Sequence, residues 1–413
     1  MTATPASTVF RYNPFDEEVM TDPLPFYRTL RDEHPLYYVA ELDTYVLSRF
    51  ADIWEVLAVD DGTFVASEGT LPAASVLAGQ NSGPVPDPPL HPMPFHANFD
   101  SPIYDDVRRC TSAPFRPRKV TDLADRIRAL ANQRLDELLP RGTFDLTQDY
   151  GGIVAASVVC DVLGLPVDLA PDVLATVNAG SMARPGDGVE VANARPGYLE
   201  YLVPIVARRR ADRSGGASPI VDSLIDHVLP DGTAFTDVEA ATQMLGVFIG
   251  GTETVPKIVA HGLRELSRRP DQLAAVRADE FNVRKAREEM IRFCAPAQWF
   301  ARTVRKPYTL HGVTIEPGQR IITLLASANR DEREYPDPEE FIWDRRIERS
   351  LAFGRGQHFC LGVHLARLEI SIMVEEWLKR VAEYRIDEQA AWRPPSSFQW
   401  GWNSVPVDTR TKG

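Results

Sequence analysis

The spacing of apolar and polar positions changes character several times along the chain. Helical spacing over residues 25–33 gives way to strand-like runs at Leu36–Val39 and Thr44–Leu47, then to a second helical segment over 51–59. Together these predict a small β-rich corner at about residues 30–50. From 62 to 102 the chain is crowded with Pro, Gly and Ser, including Pro84-Val85-Pro86-Asp87-Pro88-Pro89. Regular structure is unfavourable there, and a long loop, functional or disordered, is expected. Between about 107 and 270 the period turns helical. Breaks at Pro140-Arg141-Gly142, around Pro166, at Pro185-Gly186, at Ser214-Gly215-Gly216 and at Pro230-Asp231-Gly232 divide this region into about six helices. A further helix runs through Arg292, strand-like pieces follow at 303–310 and 320–324, and an irregular polar stretch at 330–349 precedes a last helix over 361–379. With no repeat and no dividing linker, residues 1–413 read as a single mainly α domain with a minor β portion. Its helical body covers about 51–300, and a β and cysteine-loop region about 301–413.

Composition narrows the class. Across 413 residues, 44% hydrophobic and 25% charged positions describe a packed globular chain and exclude a mainly disordered or collagen-like one. The balance of 45 Lys+Arg against 58 Asp+Glu gives a net charge of -13, whose average field repels phosphate backbones and anionic headgroups, so nucleic acid is not the expected partner. The first residues carry Asp16, Glu17 and Glu18 and show no signal-peptide pattern, and the most apolar run, 151–160, stops at Asp161, short of the roughly 18 residues of a spanning helix. No membrane anchor is expected. Cys110, Cys160, Cys294 and Cys360 form no C-x-x-C pair, which argues against a disulfide framework or structural zinc and for a reducing cytoplasm.

One cysteine stands apart. It lies in Phe353-Gly354-Arg355-Gly356-Gln357-His358-Phe359-Cys360-Leu361-Gly362. The two early glycines permit backbone conformations closed to other residues, and Gly362 lets the chain approach a bulky group. A following helix with an apolar stripe of Leu361, Leu365, Leu368 and Ile372 would place Cys360 at its start, where free N–H groups and the helix dipole favour an anionic sulfur suited to a soft metal. The plain alternative, a buried structural thiol, is assigned to Cys110, Cys160 and Cys294.

A second stretch breaks the rules of its own helix. Thr236-Asp237-Val238-Glu239 is a capping box, and the helical pattern then continues to Ser267. Its middle reads Gly246-Val247-Phe248-Ile249-Gly250-Gly251-Thr252-Glu253-Thr254-Val255-Pro256. Each Gly costs about 1 kcal/mol against Ala and an interior Pro about 3 kcal/mol. Pro256 cannot donate to the carbonyl of Thr252, so an opening or kink and a groove for a small ligand are expected. Taken alone, Glu253 and Thr254 would be an exposed carboxylate and a hydroxyl bonded back to its own helix. Their place after two glycines favours chemistry.

Phe353, the paired glycines, His358, Cys360 and Gly362 resemble the proximal haem-binding loop of the cytochrome P450 family, and the other motifs follow in that family's order over nearly the whole chain. The resemblance implies haem b (iron protoporphyrin IX), with Cys360 as axial thiolate ligand of the iron, Phe353 packed on the cysteine side of the ring and Gly354 and Gly362 shaping the loop. It places His358, Arg302 (in Trp299-Phe300-Ala301-Arg302-Thr303) and Arg108 on the haem propionates. Tyr104 stands where the family often has a histidine, four residues before Arg108. Glu253 and Thr254 match the acid and alcohol that deliver protons during dioxygen cleavage, a role in which Glu253 would need some contact with water; Pro256 departs from the family's usual form. Glu289 and Arg292, with Arg345 in Phe341-Ile342-Trp343-Asp344-Arg345, resemble the family's buried structural Glu-Arg-Arg network.

By the same resemblance the substrate pocket draws on Gly246, Ile249, Gly250, Ala297, Gln298, Trp299, Phe300, Trp400 and Trp402 and on the Pro-rich loop. These suit a small or medium apolar molecule, although any of the rings could equally pack the core. Arg108, Arg109, Arg116, Arg118, Lys119 and Arg355 read either as a solvated charge run or as a docking patch for an acidic ferredoxin-type electron donor. No Gly-x-Gly-x-x-Gly fingerprint is present, so a separate reductase would serve that donor. The implied protein is a monomeric cytoplasmic monooxygenase, of a kind used in secondary metabolism, inserting one atom of dioxygen into an organic substrate. A peroxygenase driven by hydrogen peroxide, or a non-catalytic haem sensor or recruitment protein, are the alternatives.

Overall fold

The computed structural model describes residues 10–71, 93–181, 191–214 and 216–409. The proline run at 84–89 and the expected break at Pro185-Gly186 lie outside the described residues. Ten strands lie among those described: β1 (Leu36–Val39), β2 (Thr44–Leu47), β3 (Phe64–Val65), β4 (Thr143–Asp145), β5 (Trp299–Val304), β6 (Tyr308–Leu310), β7 (Val313–Ile315), β8 (Arg320–Leu324), β9 (Arg385–Ile386) and β10 (Pro406–Asp408). The largest sheet has the order β1-β2-β8-β5-β3, in which only β2 and β8 run parallel. It joins the N-terminal corner to the last third of the chain. Along β5 and β8 the faces alternate. Trp299, Ala301, Ile322 and Leu324 enter one core, whereas Phe300, Val304 and Ile321 face another, so Arg302 leaves the sheet on the Phe300 side.

The strand expected over 303–310 is a different object: β5 starts earlier, at Trp299, and ends at Val304, before a turn containing Pro307 and then β6. Pro307 has no N–H to give a ladder, which is why the run is divided. Strands β3, β4, β7, β9 and β10 have two or three residues each, too few to show a period of two.

Eight α-helices are described between Ile103 and Ser267, against the six or so expected; one of them, Pro117–Thr121, is a short helix of five residues. The run 151–160 becomes the interior helix Ile153–Leu163, capped by Gly164 at φ 71°. The longest helix, Asp237–Ser267, begins as expected with a capping box: Thr236 Oγ1 accepts from the N–H of Glu239, and Glu239 Oε2 accepts from the N–H of Thr236 at 2.9 Å. It runs undivided through Pro256, where an opening was expected. The proline is accommodated from outside, against the π-helical turn Leu146–Gly152, and a Cβ on Gly151 would lie 2.9 Å from Pro256 Cα. Most of this helix is buried, yet Gly246, Ile249, Gly251 and Thr254 are half-buried and Gly250 is exposed. Accessible positions halfway along a core helix mean open space beside it. No helix among the described residues is long and apolar enough to cross a membrane.

Candidate active site

The cysteine loop is shaped by its glycines. Gly354 and Gly356 have φ of 68° and 73°, and a Cβ on Gly356 would overlap the carbonyl oxygen of Leu57, so only glycine fits there. The loop folds back on itself through Gly354 N–H to Leu351 O (2.9 Å), Phe359 N–H to Gly356 O (3.0 Å) and Cys360 N–H to Phe353 O (3.0 Å). The last helix starts at Val363 rather than 361, with Gly362 as its cap, so Cys360 precedes the first turn. The difference tempers the expected dipole effect. Burial pushes the Cys360 thiol up, while the N–H of Gly362 and the charges of Arg108 and Arg367 pull it down. Burial thus works against the thiolate, which a bound metal would favour. Cys360 is half-buried, whereas Cys110, Cys160 and Cys294 are buried, and burial drives the Cys160 thiol up to about 12. A Cβ on Gly362 would meet no protein atom within 4 Å, and Phe353 packs partly into the core with the Arg367 guanidinium 5.0 Å from its ring.

Beside the loop lies a group of nitrogen donors. Arg108, on the helix Ile103–Ser112, donates to the hydroxyl of Tyr104 and to Phe359 O (2.6 Å), tying that helix to the cysteine loop. The Tyr104 ring is 4.2 Å from that of His358, and burial raises its phenol. Arg302 is buried on β5, donates to Ala301 O (2.8 Å), and is lowered by burial to about 10. His96, which the sequence did not single out, joins them; burial and then Arg108 lower it to about 4. Burial drives His358 well below the ordinary histidine range, helped by Arg302, His96 and Arg108. His358 Nε2 and His96 Nδ1 are buried without a hydrogen-bond partner among the described residues. The neighbouring carboxylate of Asp100 is already engaged by the N–H groups of Ala66 (2.8 Å) and Ser67 (3.0 Å). Two guanidinium groups and two imidazoles with free nitrogens, gathered in a buried place, fit an anionic group with two carboxylates, as the haem propionates provide. The residues present thus suit that cofactor.

On the long helix, Thr254 Oγ1 donates to Gly250 O at 2.8 Å, the back-bonded arrangement. Glu253 is more enclosed than expected: it is buried, and Lys257 Nζ sits 2.7 Å from its Oε1 while Oε2 has no partner among the described residues. Lys257 also donates to the side-chain oxygen of Gln399. The sequence signal for Lys257 was its place four residues after a glutamate; nothing local could have shown Gln399.

The other expected residues divide. Ala297 and Phe300 are half-buried, whereas Trp299 is fully buried, its indole N–H on Ser397 O (2.6 Å). Gln298 is held at both ends, accepting from the Tyr27 hydroxyl (2.7 Å) and donating to Ser396 O (2.8 Å). Trp400 and Trp402 lie under the Arg393 and Arg264 guanidiniums, at 3.5 and 4.5 Å from the ring centres. These three tryptophans and Gln298 are placed as packing residues. Phe95 and His96 close in on Gly246, where a Cβ would meet them at 3.0 and 3.1 Å, while Gly250 faces open space. Glu289, Arg292 and Arg345 come together: Arg292 donates to both oxygens of Glu289 at 2.7 Å and Arg345 Nε reaches both at 3.1 Å. Arg109, Arg116, Arg118 and Lys119 are exposed, Arg109 pairing with Asp106, and Arg355 lies 3.8 Å over the Trp54 ring.

Comparison with known proteins matches residues 185–395 to the cytochrome P450 family model. The chain is 30% identical over 408 residues to a putative cytochrome P450 123 of Mycobacterium tuberculosis, covering 97% of each. It is 31% identical to a steroid C26-monooxygenase of Mycolicibacterium smegmatis over 80% of this chain and 82% of that one. Among solved structures, a mutant of P450 EryK in complex with erythromycin B superposes with a TM-score of 0.81 at 26% identity, covering 96% of this chain and 98% of that one.

Proposed function

The chain belongs to the cytochrome P450 family of haem-thiolate monooxygenases, and from that premise we propose that Cys360 supplies the axial thiolate while Arg302, Arg108, Tyr104 and His358 hold the haem propionates. When bound, haem b supplies the activation of dioxygen, one atom passing to substrate and the other leaving as water. The protein's part is ligand, pocket and protons. Gly354 and Gly356 hold the loop in the turn that presents the sulfur, and Phe353 packs beside it. Arg108 binds at once to Tyr104 and to the loop carbonyl of Phe359, so propionate binding and loop position are coupled. Glu253 takes up and releases a proton at Oε2, and Thr254 donates from Oγ1 once its bond to Gly250 O opens. Gly246, Ile249, Gly250, Ala297 and Phe300 line the substrate space. An apolar organic substrate of small or medium size is supported by these side chains, and by the steroid that the name of one similar protein carries. Exposed Arg109, Arg116, Arg118 and Lys119 would guide an acidic ferredoxin-type donor, served by its own reductase, in the cytoplasm. Glu289, Arg292 and Arg345 keep the segment before the cysteine loop in place, within one domain acting as a monomer.

The observation that carries this reading is a half-buried cysteine on a glycine-shaped loop beside two buried imidazole nitrogens, of His358 and His96, that have no hydrogen-bond partner among the described residues. Its test is the absorption spectrum of the reduced protein under carbon monoxide, wild type beside Cys360→Ala. The thiolate-type Soret shift is expected in the first and absent from the second; its persistence in the variant removes Cys360 as ligand. Product formed with dioxygen and a ferredoxin system, rather than with hydrogen peroxide alone, separates the monooxygenase from a peroxygenase.

A further inference from the structure

Lys257 is a lysine buried in the middle of a core helix, 5% exposed, a position lysine almost never takes unless paired. Its own helix and one distant loop meet on it. Its Nζ is 2.7 Å from Glu253 Oε1 one turn earlier, and donates as well to the side-chain oxygen of Gln399, 142 residues away. Its stem lies under Gly401, where a Cβ would come within 3.1 Å of both Lys257 Cβ and Cδ. The outer end of this contact is fixed in turn. Gln399 N–H donates to Ser396 Oγ at 2.9 Å, its backbone bridges Ala297, Gln298 N–H donates to Phe398 O at 2.8 Å, and Trp400 N–H to Pro296 O at 2.7 Å. The loop carrying Gln399 is therefore zipped to residues 296–298, which lead from the half-buried Ala297 into the strand that carries Phe300.

We propose that Lys257 is a positioning residue that keeps Glu253 ionised and turns its Oε1 toward the C-terminal loop, with Gln399 holding Lys257 in place. This rests on the reading of Glu253 as the proton-carrying acid. A buried carboxylate without a cation takes up a proton and becomes neutral. A neutral acid can give a proton but cannot first collect one from water. With Lys257 in place the acid stays charged, one oxygen is committed, and Oε2 alone remains to accept and pass on a proton. Tyr198, on the helix Val191–Ala211, also feels Glu253; burial and then that carboxylate raise its phenol, so it stays neutral beside the pair. The charge at this place is thus set by Glu253 and Lys257 together.

Infrared spectroscopy of the carbon-13-glutamate-labelled holoenzyme at neutral pH tests the proposal without turnover. In the wild type no protonated carboxyl band disappears on Glu253→Gln. Lys257→Met keeps the stem and removes the charge, and a protonated carboxyl band is expected to appear that Lys257→Met combined with Glu253→Gln abolishes. The double variant is the needed control because burial drives the Glu369 carboxyl well up, and a band from that group would not respond to Glu253→Gln. Gln399→Leu, which leaves the helix untouched, should produce the same band more weakly and serves if Lys257→Met does not fold. An ionised Glu253 in whichever of these variants folds overturns the proposal. If the band appears while product per electron and the solvent isotope effect on turnover stay at wild-type values, the Lys257 contact stands and the proton role of Glu253 falls instead.

Discussion

Glu253 and Glu289 lie on neighbouring helices, both buried and both paired with a cation, yet they are satisfied in opposite ways. Glu289 has no free lone pair to offer: Oε1 accepts from Arg292 (2.7 Å), the N–H of Ile342 (2.9 Å) and Arg345 (3.1 Å), and Oε2 from Arg292 (2.7 Å) and Arg345 (3.1 Å). Glu253 has one ammonium on Oε1 and, among the described residues, nothing on Oε2. A carboxylate filled by two guanidiniums and an amide holds segments together and would lose several bonds on taking a proton. A carboxylate left half-filled can be protonated without dismantling its surroundings. Saturation marks the structural acid and an open oxygen the reactive one.

The largest effect should fall on the saturated site. Arg292→Ala leaves Glu289 short of its best donor and frees the carbonyls of Asn329 and Pro338, which Arg292 also binds. Breaking such a buried pair costs about 3–5 kcal/mol. Urea unfolding should show this loss together with a lower haem content. A cost below about 1 kcal/mol would mean that the filled carboxylate holds nothing together, and the contrast with Glu253 would be lost.

Next in size is Glu253→Gln. The amide oxygen and Gln399 can still accept from Lys257, so the stability cost should stay near that of one hydrogen bond to a charged group, about 2 kcal/mol. Proton transfer is lost entirely, and the rate of product formation should fall about 10²-fold, the lower end of what a general acid contributes. Measuring product against electrons consumed checks it, since uncoupled turnover releases peroxide. A variant as unstable as Arg292→Ala but fully coupled would exchange the roles of the two acids.

What was legible in the sequence follows the distance over which each feature is built. The cysteine loop is local, and Gly354, Gly356, His358 and Cys360 could be read together because the turn that uses them is ten residues long. The capping box at Thr236 and the strands Leu36–Val39 and Thr44–Leu47 were readable for the same reason. The site's electrostatics were not. His96 joins Arg302 and His358 only through the tertiary fold, and nothing near Glu253 in sequence shows Gln399 or the loop that covers it. Trp299, Trp400 and Trp402 illustrate the same limit: an aromatic ring reads alike in a pocket and in a core until its neighbours are known. Pro256 suggested a break from local rules, and a glycine more than 100 residues earlier lets the helix pass it intact.

The smallest effect comes from a third buried glutamate, on the same helix as Glu253. Glu239 Oε2 accepts from the N–H and hydroxyl of Thr236 (2.9 and 2.8 Å), and Oε1 from the N–H of Met93 (3.0 Å). Like Glu289 it has donors on both oxygens, and by the same reasoning it is structural. Thr236→Ala removes the hydroxyl that caps Glu239 N–H and one donor to its carboxylate, which should cost about 1 kcal/mol. The urea midpoint should fall with an unchanged slope, because the surface exposed on unfolding is the same. Product per electron should not change, since the loosened end is more than a dozen residues from Glu253 and frays without reaching Lys257. This variant separates two explanations for any loss seen in Glu253→Gln. If loosening the helix at its start also uncouples turnover, the open oxygen of Glu253 is not what distinguishes it, and the rigidity of the whole helix takes its place.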